Sequence, residues 1–181
     1  ADLTAIWGVQ PFVEPSNAAG LQRHNGLDYF LKAQSVPVVA SSDGRLMMAE
    51  VFIRPQDGNG QLNIAWIMPT GGVTSYSLEP SAGPADAAKA AEQVTLARRM
   101  LDELTVSIGD TIQSGQRLTT LYAQDDWAHV HWSIKTSNGM PEEFVCPATY
   151  MSAKSQQELE PLVAAWERRI HKGQKDPGLC Q

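Results

Sequence analysis

The chain has little cysteine, no excess of positive charge and no long apolar run, and each shortage removes a class of protein. Its two cysteines, Cys146 and Cys180, are too few for a disulfide framework that holds a small loop-rich fold together. Six Lys and eight Arg are spread thinly and outnumbered by 20 acidic residues, for a net charge of −6. No nucleic-acid partner and no anionic membrane surface are therefore expected, since neither would find an electrostatic grip. The longest apolar run, about Val36 to Ala40, falls far short of the roughly 18 residues that a membrane-spanning helix needs, so no membrane span is expected. Low-complexity linkers and strong internal repeats are also lacking, and residues 1–181 read as one domain and a monomer.

Hydrophobic residues at 43% and charged residues at 19% supply enough apolar material for a sizeable core. Ala1 and Asp2 stand where an initiator Met would, and a small residue at a mature end is what signal-peptide cleavage leaves, so export to the periplasm or beyond is expected. In an oxidising compartment Cys146 and Cys180 would bond and pin the tail beside Phe144 and Pro147, whereas in the cytosol they would stay reduced. The expectation adopted is the bonded pair.

Short apolar or alternating runs mark strands at Pro37 to Ala40, Arg45 to Met48, Val51 to Arg54, Leu62 to Met68 and Val73 to Leu78. Asp43-Gly44, Asp57-Gly58-Asn59-Gly60 and Gly71-Gly72 punctuate them as turns. From Pro84 to Leu104 the composition shifts to Ala, Glu, Gln, Arg and Leu, with Ala87, Ala90, Ala91, Val94, Leu101 and Leu104 on one helical stripe. Strands resume at Thr105 to Ile108, Gln116 to Tyr122 and Ala128 to Ile134, with turns at Gly109-Asp110 and Asn138-Gly139. A last helix over about 156–170 carries Leu159, Leu162, Val163, Trp166 and Ile170, behind a capping box of Ser155 and Glu158. The fold class is mainly β: an antiparallel sheet with one inserted helix and one C-terminal helix.

Three of the four histidines fall into two compact groups, His24-Asn25-Gly26-Leu27-Asp28 and His129-Val130-His131. On a strand, alternation sends His129 and His131 to the same face. Gly26 argues against a helix through the first group, so a turn aims His24 and Asp28 inward. Imidazole nitrogens and a carboxylate oxygen are ligands that zinc favours in catalytic sites, where three protein ligands leave a fourth position open.

These residues resemble the signatures of the lysostaphin-type zinc endopeptidases that cut peptidoglycan cross-bridges, a His-x-Gly-x-Asp motif followed by His-x-His. Val36-Pro37-Val38, Ser42-Asp43-Gly44 and the stretch from Val106 to Gln116 are similar to further family segments, and the resemblance covers roughly residues 20 to 145. It implies a barrel-like antiparallel peptidase domain of the duplicated hybrid motif type with a groove. It also implies zinc as cofactor, held by His24, Asp28 and His131, with His129 beside the metal as a catalytic group and peptidoglycan or another peptide as substrate. The strand that should bring a second non-ligand His reads Thr74-Ser75-Tyr76-Ser77-Leu78, with Ser77 in its place. Tyr76 is the expected stand-in, because a phenol donates to an oxyanion without titrating. Trp127 is the aromatic expected at the groove, Trp132 is expected on the sheet face opposite His131, Trp166 in the core, and His171 at a helix C-terminus beside Arg168 and Arg169. An exported zinc endopeptidase is thus one reading, and a catalytically degenerate homologue serving as a cell-envelope binding or regulatory domain is the other. A hammerhead-like carrier module would leave both His motifs unexplained.

Overall fold

A computed structural model describes residues 3–13, 24–82, 86–136, 143–172 and 178–181. The strands are β1 (Ile6–Gln10), β2 (Leu27–Leu31), β3 (Val36–Val39), β4 (Gly44–Ile53), β5 (Gly60–Ile67), β6 (Val73–Glu79), β7 (Thr111–Ile112), β8 (Arg117–Leu121), β9 (His129–Lys135) and β10 (Phe144–Val145). Helix α1 spans Ala87–Asp102 and α2 spans Ala153–Ile170. The main sheet runs β1-β2-β9-β6-β5-β4-β7, with β10 also on β9, and β3 pairs with β8 as a separate ribbon. Every ladder between these strands is antiparallel, so the fold is mainly β with two helices, as the sequence implies.

Register decides what each face of the sheet carries. Leu62, Leu78 and Val130 form one row across β5, β6 and β9, followed by Ile64, Tyr76 and Trp132 and then by Trp66, Thr74 and Ile134. This face is the core: Leu62, Ile64, Trp66 and Leu78 are fully buried beneath the ribbon and α1. Burying one such aliphatic side chain stabilises the fold by about 1.5–3 kcal/mol relative to leaving it in water. The alternate residues give the other face a polar row, Asp28, His131, Ser77 and Asn63 across β2, β9, β6 and β5, and next to it Phe30, His129 and Glu79. A one-residue slip of any ladder would move its polar set into the core, so burial of the apolar face also fixes the polar one.

Some elements differ from the sequence expectation. The runs from Arg45 to Met48 and from Val51 join in the single strand β4, which ends at Ile53 and absorbs Met47 as a bulge between Leu46 and Met48. Thr105 to Ile108 is not a strand: the Asp110 carboxylate accepts from Ser107 N–H at 2.8 Å and Gly109 adopts φ +95°, which closes a tight turn. Helix α1 begins after Asp86, whose carboxylate caps Lys89 N–H at 2.9 Å; Pro84 lies outside the described residues. Its buried residues are Ala90, Gln93, Ala97 and Met100, a stripe rotated from the expected one, because Ala87 and Ala91 face solvent. The N-cap of α2 is Ser152, accepting from Ser155 N–H, so the expected capping box of Ser155 and Glu158 does not form. Pro161 lies inside α2 on its exposed side.

Helix α2 packs on β1, with Trp166 against the backbone of Gly8. Cys146 and Cys180 are bonded with their Cα atoms 5.7 Å apart, which ties the chain end to the start of the Pro147–Tyr150 turn, as expected. No helix among the described residues is long and apolar enough to cross a membrane.

Candidate metal centre

His24, Asp28 and His131 come together with their ligand atoms within 4.8 Å of one another. Strands β2 and β9 set Asp28 directly across from His131, and an isolated bridge between Val13 and His24 brings the third residue in from the preceding segment. His131 Nδ1 lies 2.6 Å from Asp28 Oδ1, and His24 Nε2 lies 3.0 Å from Asp28 Oδ2. The two imidazoles meet edge to face with ring centroids 5.1 Å apart.

Gly26 has a different purpose from the bend the sequence suggests. A Cβ built on it would stand 2.7 Å from Cε1 and 2.8 Å from Nε2 of His131. The His-x-Gly-x-Asp pattern thus needs glycine because the Trp132 carbonyl and the ring of the second motif lie where a side chain would be.

The donor set fits a cation. His24 Nδ1 donates to the Pro11 carbonyl at 2.8 Å, which fixes the ring and leaves Nε2 as the free nitrogen. That Nε2 is buried and, although close to Asp28 Oδ2, lies off the hydrogen-bond direction, so it has no hydrogen-bond partner among the described residues. A lone pair set beside a carboxylate oxygen is relieved by a positive charge, either a proton or a metal ion. Burial alone would lower the His24 pKa, but the adjacent Asp28 charge, with the hydrogen bond to Pro11, raises it above the ordinary imidazole value. Burial would likewise raise Asp28, yet the charges of His129 and His24 and the hydrogen bond from His131 hold it far below the usual carboxylate range. Asp28 is therefore an anion available to a metal.

His129 stands one row away on the same face. Its Nδ1 donates to the Trp127 carbonyl at 3.0 Å, and its Nε2 lies 3.5 Å from Glu79 Oε1 and 4.0 Å from Asp28 Oδ2. Burial opposes charging this ring, but Asp28 and Glu79 outweigh it and push the pKa up to about 9. The ring also packs on Phe30 with centroids 4.9 Å apart.

Tyr76 does not join the group. Alternation places it on the core face in the row of Trp132, where its hydroxyl donates to the Val39 carbonyl at 3.1 Å and its ring meets Trp66 edge-on. Burial pushes its phenol up to about 12. The expectation that it stands in for an imidazole at position 77 is corrected by this placement. Ser77 itself faces the site, directly across from His131.

Trp127 packs edge-on against Trp7 and Phe30, and the Arg169 guanidinium lies over Trp7 and Trp127 at 4.1 and 4.7 Å while pairing with Asp126. It forms a wall behind His129 instead of an open stacking face. Trp132 lies on the core face opposite His131, Trp166 is buried and His171 caps α2, all as expected.

Glu79 is the site residue that sequence reasoning missed. Period-2 alternation from Ser77 along β6 was the available signal.

No protein-family model matches the chain, and no curated protein sequence does. Among solved structures it is similar to the catalytic domain of the prophage-encoded M23 protein EnpA from Enterococcus faecalis, at 16% identity over 79% of this chain and 89% of that one, with a TM-score of 0.49. It is also similar to a structure of the SpoIIIAH and SpoIIQ complex, at 18% identity over 81% and 97%, with a TM-score of 0.48. A third is a putative glycyl-glycine endopeptidase LytM from Ruminococcus gnavus, at 18% identity over 79% and 57%, with a TM-score of 0.46. In the order of its two histidine motifs the chain resembles the lysostaphin-type zinc endopeptidases, with Ser77 where that resemblance implies a second imidazole.

Proposed function

We propose that the chain is a zinc-dependent metallopeptidase-like protein acting outside the cytoplasm on peptides of the peptidoglycan cross-link. The observation that carries this reading is the buried His24 Nε2, without a hydrogen-bond partner among the described residues, in one cluster with Asp28 and His131. His24, Asp28 and His131 would hold the metal, which supplies Lewis-acid chemistry toward a peptide carbonyl. The Pro11 carbonyl keeps His24 oriented, and Gly26 leaves room for His131. His129, anchored through Nδ1 on Trp127 O, presents Nε2 beside the ligand group as the residue that moves a proton. The Cys146–Cys180 bond supports an oxidising compartment, periplasmic or extracellular.

A second reading is favoured by Ser77, which faces His131 with a hydroxyl where the resemblance implies an imidazole. On that reading the domain keeps the metal and binds cell-envelope material without turnover. Incubation of the zinc-loaded chain with purified peptidoglycan, with new peptide termini followed by mass spectrometry, separates the two. New termini that disappear in His129→Ala support the peptidase. Uncut material, with zinc demonstrably bound, overturns it in favour of the binding domain.

A further inference from the structure

The row beside the metal ligands holds a chain of charged side chains that the ligand set does not use. Glu79 ends β6, two residues beyond Ser77 and on the same face, and stands across β9 from His129. Its two oxygens serve different partners: Oε1 lies 3.5 Å from His129 Nε2, and Oε2 lies 3.3 Å from Arg54 Nη1. Arg54 is itself gripped by Asp57, with Nε to Oδ1 at 3.2 Å and Nη2 to Oδ2 at 2.8 Å. Asp57 is fixed in turn by the Asn59 N–H, in the turn that joins β4 to β5.

A purely structural ion pair does not account for this arrangement. Asp57 already gives Arg54 a two-point partner, so Arg54 needs no second carboxylate. Holding the half-buried Glu79 beside an imidazole has a desolvation cost that a fully exposed pairing would avoid. What the arrangement does achieve is to engage both nitrogens and one face of the His129 ring: Trp127 O on Nδ1, Phe30 against its face, and Glu79 and Asp28 flanking Nε2.

We propose that Glu79 is the side chain by which β6 serves the site, and that the Arg54–Glu79 pair is a positioning device holding the His129 imidazole with Nε2 toward Asp28. The inference rests on the peptidase reading for its kinetic consequence but not for its geometry. Ser77 then leaves β6 with a carboxylate contribution one row over instead of an imidazole.

The test compares zinc-loaded wild type with Glu79→Gln and Arg54→Met, and uses Glu79→Asp as the shorter carboxylate in case the first variant folds poorly. Zinc stoichiometry should match wild type in all of them, since neither residue is a ligand. In NMR spectra the His129 ring nitrogen signals should move and the contacts between the His129 and Phe30 rings should weaken. The His24 and His131 ring signals should stay in place, and Glu79→Asp should fall between wild type and Glu79→Gln. Where wild type cleaves peptide, kcat should fall by about 10-fold or more in Glu79→Gln with KM within about twofold. His129 ring signals unchanged in both Glu79→Gln and Arg54→Met would overturn the proposal, as would a loss confined to KM. If zinc-loaded wild type cuts nothing, the peptidase reading fails, and the ring signals alone decide this one.

Discussion

A side chain on Gly26 would collide with the His131 imidazole, so the middle of the first histidine motif is shaped by the last residue of the second. Alanine at 26 would push its Cβ to 2.7 Å from Cε1 of that ring, and the neighbouring Trp132 carbonyl blocks a simple retreat. Gly26→Ala should displace the His131 ring and disturb the β2–β9 pairing at the Trp132 carbonyl, weakening zinc about 10- to 100-fold, the range seen when groups that orient a ligand are disturbed. Competition titration against a chelator of known affinity checks this, and unchanged affinity would mean that the ring is not held where the contact requires.

Zinc and a proton compete for His24. Its pKa is raised by Asp28, and a metal can bind Nε2 only when that nitrogen is deprotonated. Zinc binding should therefore release protons, and affinity should rise with pH through the range where His24 gives up its proton. Calorimetry in two buffers of different ionisation enthalpy measures the release; equal heats in the two would contradict it.

The Cys146–Cys180 bond spans a sequence separation of 34 and closes over the Leu179 and Phe12 contacts at the chain end. In the chain-entropy account a loop of this size is worth about 3 to 4 kcal/mol. Denaturant unfolding with and without a reductant should differ by that order, and coincident curves would show that the bond adds little.

Ser152→Ala should destabilise the protein by about 1 kcal/mol because its hydroxyl caps Ser155 N–H at the start of α2. Glu158→Ala should cost much less, since Glu158 is exposed and its Lys154 partner is 3.9 Å away. Thermal unfolding of the two variants separates an N-cap at 152 from one at 155.

Much of the site was legible because it depends on short-range patterns. Alternation alone put His129 and His131 on one face, and the fold places them there. The same rule, applied to Tyr76 and Ser77, excludes both from facing the metal together; the expectation for Tyr76 followed its chemistry and overlooked its parity. Alternation from Ser77 places Glu79 on the site face, but its partners were not legible, because they depend on the pairing of β6 with β9 and on Arg54 just after β4. The stretch from Thr105 to Ile108 reads as a strand by composition, but a carboxylate three residues from Ser107 offers its N–H a turn partner that composition does not reveal. The core stripe of α1 was misjudged for a related reason: alanines say little about which side is buried until the sheet supplies the surface to pack on.

Ser77→His should raise cleavage of cell-wall peptides by about 10-fold or more if the missing imidazole limits turnover. The substituted ring would project from β6 on the site face, opposite His131. Steady-state kinetics on a defined cross-link peptide checks this, and no gain, in a variant that binds zinc normally, would mean that position 77 is not where the chain lost capacity.

The most direct test of the account is metal content, measured by mass spectrometry of the elements in protein never exposed to chelator. The account predicts one zinc per chain in wild type and in His129→Ala, and its loss in His24→Ala, Asp28→Ala and His131→Ala, the three residues whose ligand atoms cluster within 4.8 Å. Wild type without stoichiometric metal, or a His131→Ala variant that keeps it, would contradict the assignment of this site.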